Sequence, residues 1–318
     1  MSVPSSSPID DFIDRSTTDS DLLRWEGIAV GVGIAATVVA VGFLSLAAFA
    51  HPGNRDAVAR LLRVVLLAGV ALIGGSIVET AVAANSLGID WSSALTDGSS
   101  VGAMLRLLAG GALLFGFIEE TVSVGGLRGA PDSVSSPDDR VVRWVPSRAA
   151  ALGFSGALLA VVSFAFDGHT VTEGPRIVHA LVNVVHVGSA GVWGGGVLGL
   201  AVLATGRRRT AIGPSFERFS PIATAVVGPL LVSGVVMSFV VLDAPADLVG
   251  TQWGRALLVK SGLVLFAVAL GAHHHRLVAR RRGDGVLPTS VSRSIAVEAV
   301  LIAGVVVAAA VLARSSTS

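Results

Sequence analysis

FAFDGHTVTEGPRIVHALVNVVHVGSAGVWGGGVLGLAVLAT, residues 164–205, is the stretch whose reading decides the fold. It holds three of the chain's seven histidines. His179 and His186 lie inside a long apolar run, and His169 precedes that run by a short polar loop. A spacing of seven is about two helical turns, so both imidazoles fall on one side of a helix, roughly 10 Å apart along its axis. The run is also long and apolar enough to cross a bilayer.

The same character extends through the chain. Its residues are 52% hydrophobic and 14% charged, with a mean hydropathy of +0.76, where a soluble chain of 318 residues would need far more surface charge. We read an all-α polytopic membrane protein of eight transmembrane helices, at about 26–50, 60–84, 101–123, 148–167, 177–205, 219–242, 254–276 and 290–313. Residues 1–24 are polar, with Asp10, Asp11, Asp14, Asp19 and Asp21, and lack the basic start and apolar core of a secretory signal, so a disordered tail is expected there. Residues 25–147 then form a first transmembrane half and residues 148–313 a second transmembrane region, with a short tail at 314–318.

Basic residues set the orientation. Arg55, Arg60 and Arg63 flank the first connection, and Arg128, Arg140, Arg143 and Arg148 the third. Arg207, Arg208 and Arg209 lie in the fifth, and Arg276, Arg280, Arg281 and Arg282 flank the seventh. The intervening connections are nearly free of Lys and Arg. Odd connections are therefore expected in the cytoplasm, with both termini and the histidine-bearing mouth outside, in a multi-pass protein of the cytoplasmic membrane. The net charge of +1 is spread over short clusters and does not mark a nucleic-acid surface.

An internal repeat is also readable. ARLLRVVLLAGVALIGGSIV in the second span resembles ERFSPIATAVVGPLLVSGVV in the sixth, and SSVGAMLRLL in the third resembles TQWGRALLVK in the seventh. Two parallel four-helix repeats would produce this; so would chance similarity between Gly- and Ala-rich helices.

Ionisable groups inside spans are costly and face the bundle interior or a water-filled cavity. Here they are Glu79, Arg106, Glu119, Glu120, Lys260 and Glu298. Glu79 and Arg106 fall at similar depth on consecutive helices, which suits a buried ion pair. Lys260, the only lysine, suits snorkelling to the outer surface or a pair with Glu298. The competing reading makes Glu79, Arg106, Lys260 and Glu298 an ion pathway. His273, His274 and His275 point in different directions on one helix and cannot serve one site; His51, before Pro52-Gly53, reads as a turn residue.

His169, His179 and His186 are the candidate metal ligands, since neutral imidazole suits copper, zinc, iron and nickel. There is no cysteine, which excludes disulfides and thiolate ligation, and the methionines are Met1, Met104 and Met237. Trp193, Gly194 and Gly195 follow on the same helix and suit close packing beside the histidine face. No nucleotide-binding loop, HExxH motif or GxSxG elbow is present, so no enzymatic chemistry is expected, and transport would run on gradients or handover.

Residues 168–204, from Gly168-His169 through VHALVNVVHVGSAGVWGGGVLGLAVLA, resemble the copper resistance protein D family. His186, Trp193, Gly194 and Gly195 match the family's pattern, and His179 joins them by its face. The resemblance runs over residues 160–313, through FERFSPIATAVVGPLLVSGVVMSF, GTQWGRALLVKSGLVLFAVALGA and SVSRSIAVEAVLIAGVVVAAAVL, with Arg293 and Glu298 at positions often basic and acidic. It implies an eight-span membrane protein that takes up or tolerates copper, with copper ion as cargo and a separate extracytoplasmic copper-binding protein as donor. Two alternatives remain: a b-type haem protein of electron transfer, and an assembly factor for a respiratory metalloenzyme.

Overall fold

The computed structural model describes residues 8–50, 55–96, 100–126, 144, 146–166, 176–205, 212–242, 244–279 and 289–313. Among them every regular element is helical. Helix α1 runs Pro8–Phe49, α2 Arg55–Leu87, the short α3 Trp91–Thr96, α4 Val101–Gly126 and α5 Arg148–Ser163. Helix α6 (Arg176–Ala190) passes through a π-helical turn, Gly191–Gly195, into α7 (Gly196–Ala204). Helix α8 is Ile212–Val241, α9 the single turn Asp247–Gly250, α10 Gln252–Ala279 and α11 Thr289–Leu312.

Eight of these segments are long and apolar enough to cross a membrane, with α6 and α7 acting as one span. The hydropathy reading of the spans therefore holds. The helix preceding the first span differs from expectation: α1 begins at Pro8, inside the stretch read as tail. Proline at a first helical position loses no hydrogen bond and presets φ, so a helix can start there.

The core is built around α1, which packs on α2, α5, α6–α7 and α11. Phe43 and Leu46 of α1 are fully buried together with Leu61, Leu62 and Leu72 of α2, Leu113 and Phe117 of α4, and Leu200 of α7. Without a hydrophobic drive between helices in lipid, such contacts depend on close approach. It is closest where α1 crosses the π turn: a β-carbon on Gly42 would overlap the Gly195 backbone, and one on Gly195 would overlap the Val38 carbonyl.

Over their apolar 18-residue stretches spans one to five are 44–56% buried; spans six to eight are only 6–17% buried. The halves of the suggested repeat are thus packed differently. Helices α2 and α4 form an extensive seam, and a β-carbon on Gly110 would press on the Gly69 carbonyl at 2.6 Å. Their counterparts α8 and α10 barely touch. Gly262, which matches Gly110 in the repeat register, has no atom within 4 Å of where its β-carbon would stand, and neither has Gly228 on α8. Pro221 and Pro229 each remove an N–H from the α8 hydrogen-bond ladder, whereas α2 has no proline.

Candidate functional site

Helix α6 is inside out by the standard of a soluble protein. Its two buried residues, His179 and Asn183, are both polar, whereas Ile177, Val178, Leu181 and Val185 are exposed. Apolar side chains face lipid and the polar stripe faces the bundle. Offsets of four and seven from His179 put Asn183 and His186 on that same stripe.

His179 is 6% exposed, and its buried Nδ1 has no hydrogen-bond partner among the described residues. Asn183 donates from Nδ2 to the Phe164 carbonyl at 2.7 Å, tying α6 to the end of α5. The sequence reading missed Asn183; the signal was its register between two histidines inside an apolar run.

His186 is half-buried, and its Nδ1 lies 3.1 Å from Ser233 Oγ on α8. The Ser233 hydroxyl donates within its own helix, with the Pro229 carbonyl at 2.6 Å and the Leu230 carbonyl at 3.0 Å as its acceptors. With its one proton engaged there, the Ser233 oxygen is left to accept from His186 Nδ1–H. That tautomer leaves Nε2 with its lone pair, the state in which imidazole ligates a metal.

Beside this stripe sits the ion pair. Arg106 Nη2 is 2.5 Å from Glu79 Oε2, with side chains 3% and 10% exposed. Arg106 Nη1 also reaches Ser163 Oγ at 3.5 Å, and its guanidinium carbon lies 5.0 Å from the centre of the Phe164 ring. Ser163 and Phe164 thus join the ion pair to Asn183 and the histidine helix. Gly33 of α1 lies against the pair, where a β-carbon would stand 3.3 Å from Arg106 Cδ.

The other acids belong elsewhere. Glu120 accepts the Ser147 backbone N–H at 2.6 Å and the Trp144 indole N–H at 3.1 Å, which fastens the start of α5 to α4. Glu298 is 4% exposed and lies against Gly271, where a β-carbon would stand 3.0 Å from its Oε1. Lys260 is eleven residues from Gly271 along α10, about 16 Å by helical rise, so the Lys260–Glu298 pairing considered from sequence is not made. Trp193 is buried against Leu230 and Ala267, joining the π turn to α8 and α10; Gly194 faces Ile302 of α11. His169 lies outside the described residues. Among the described residues no group of three or more His, Cys, Asp or Glu could hold one metal ion.

The fold and this stripe define a class: a helical membrane protein with a polar, histidine-bearing helix packed into its interior. Residues 213–312 match the family model for Copper resistance protein D. The match supplies Ser233, Lys260 and Glu298 and begins after His179 and His186. A curated relative, Copper transport protein CutJ of Bacillus subtilis (strain 168), is 37% identical over 140 residues, which are 43% of this chain and 25% of that protein. The matched part thus spans a quarter of the relative's length. No solved structure matches the chain significantly.

Proposed function

We propose that this protein carries copper ions across the cytoplasmic membrane, receiving them on the outer side at the polar stripe of α6. The observation that carries the reading is the His186–Ser233–Pro229 chain of hydrogen bonds, which presents Nε2 as a ligand inside a membrane span. His179, two turns nearer the mouth and with no partner for its Nδ1 among the described residues, is the preceding station, and Asn183 lies between them. The family match over residues 213–312 and the name of the CutJ relative supply copper as the cargo.

In the sequence the arginines cluster in the odd connections, which supports a reading with the histidines and both termini outside. His169, in the connection just before α6, is a further capture group on this reading. A separate extracytoplasmic protein delivers the ion. The protein catalyses no covalent step: it exchanges ligands around an ion. Weak, successive ligation suits passage, since an ion held by a closed ligand set would not leave.

Competition against a calibrated Cu(I) chelator, with the purified chain in micelles, tests this. Wild type is expected to withdraw copper from the chelator, His186→Ala to lose about 10- to 100-fold in affinity, and His179→Ala to lose less. Equal affinity in wild type and both variants would remove the stripe from the account.

A further inference from the structure

We propose that the Met237 thioether is the second ligand at the His186 position, so that a soft sulfur and an imidazole nitrogen hold Cu(I) between α6 and α8. Resting on the reading of the α6 stripe as an ion path, this adds a ligand on the facing helix and the oxidation state it favours.

Two contacts seat His186 on α8. Its Nδ1 lies 3.1 Å from Ser233 Oγ, and a β-carbon on Gly234 would stand 3.3 Å from its Cε1. The bare Gly234 backbone thus lets the ring lie against α8, and Nε2 is the next ring atom after Cε1. Consecutive spans run in opposite directions, so from this contact the way toward the α6 start leads to higher numbers on α8. Met237 is four residues after Ser233 and three after Gly234. That is about one turn, on the same face. Burial agrees. Leu230 and Ser233 are buried and Gly234, Met237 and Ser238 half-buried, whereas Val232, Val235, Val236, Phe239 and Val240 are exposed. Met237 therefore lies on the side of α8 that packs on α6.

Side chains on a helix lean toward its N-terminus. On two antiparallel helices they lean in opposite senses. Met237 leans back along α8 over Ser233 and Gly234, and His186 leans toward the α6 start, so the two converge. Methionine has three rotatable bonds and a polarizable sulfur, which gives the thioether reach.

The alternatives at this level are poorer donors. His179 is roughly 10 Å from His186 along the axis and leans the same way, so one ion is not held by both. Asn183 spends its amide nitrogen on the Phe164 carbonyl at 2.7 Å, and its oxygen is a hard donor. The chain has no cysteine, and Met104 on α4 is 45% exposed. Among the described residues Met237 is therefore the sulfur on the α6 side. Imidazole suits copper and zinc alike, whereas a thioether selects Cu(I). Two ligands leave the ion accessible, which suits passage.

X-ray absorption of the purified full-length chain in micelles, loaded with one equivalent of Cu(I) kept reduced, tests this. Wild type and Met104→Leu are expected to show copper–sulfur scattering beside copper–nitrogen, and Met237→Leu, close in volume, nitrogen alone. In chelator competition Met237→Leu should lose Cu(I) affinity about tenfold or more while its Zn(II) affinity is unchanged. Wild type that binds Cu(I) without sulfur scattering overturns the ligand and leaves the stripe standing, and this arm needs no variant to fold. Sulfur scattering that persists in Met237→Leu, or an unchanged Cu(I) affinity, also overturns it. So does an equal loss of Cu(I) and Zn(II) affinity, because Met237 then only packs. If wild type withdraws no copper from the chelator, the stripe fails and the ligand falls with it.

Discussion

Replacing Glu79 by Leu should cost this protein far more than replacing Glu79 and Arg106 together. Arg106 is 2% exposed, and its guanidinium on α4 is 2.5 Å from the Glu79 carboxylate on α2. Removing one partner of such a pair leaves a buried charge uncompensated, which costs about 3–5 kcal/mol. That is about a 150- to 4,000-fold change in the folding equilibrium. Ser163 and the Phe164 ring remain near the guanidinium, but a neutral hydroxyl and a ring face replace only part of a carboxylate. In Glu79→Leu/Arg106→Met neither charge must be desolvated, and replacements of this kind are often neutral or stabilising. Unfolding in mixed micelles with increasing SDS measures all four members of the cycle. The expected result is a large loss in each single variant and a double variant within about 1 kcal/mol of wild type, or above it. Single variants losing under about 1 kcal/mol, or a double variant as weak as the sum, would refute the reasoning. Because Phe164 joins the pair to Asn183, the single variants should also weaken copper binding, and the double variant should recover much of it.

Three further outcomes are expected. Gly195→Ala pushes a methyl group into the Val38 carbonyl and should cost about 1–3 kcal/mol or more in the same unfolding assay, whereas Gly228→Ala, with nothing within 4 Å, should be neutral or slightly stabilising. Ser233→Ala removes the acceptor of His186 Nδ1–H and should weaken copper affinity about 10- to 100-fold, read by chelator competition, with little change in thermal stability. Asp90, in the connection before α3, accepts the Ser93 N–H at 2.8 Å, and hydrogen bonds from Ser93 hold its carboxyl below the usual range. A depressed folded value means that its support of α3 is present above the ordinary aspartate pKa and is lost as pH falls through the lower folded one. NMR titration should find that depressed value, and Ser93→Ala should move it upward.

The spans were legible because one rule dominates them: backbone polar groups in lipid must be satisfied within the segment, so apolar helices of fixed length are the available form. Glu79 and Arg106 could be matched from sequence because consecutive helices place them at similar depth. Lys260 and Glu298 could not, since composition does not show that Glu298 meets α10 at Gly271. Asn183 escaped because a single asparagine in a span has no motif; its meaning comes from the Phe164 carbonyl, nineteen residues earlier. The π turn was hidden for a related reason. Its glycines read as small packing residues, and only the crossing with Gly42 shows how close the approach is. The open seam between α8 and α10 runs against the repeat pattern, which by itself suggests packing like that of α2 and α4.

Copper accumulation in cells producing wild type, His186→Ala or His179→Ala at equal membrane levels tests the central claim most directly. Wild type should raise cell copper, His186→Ala should abolish most of the rise, and His179→Ala should reduce it. Copper content indifferent to expression and to both substitutions would contradict the account.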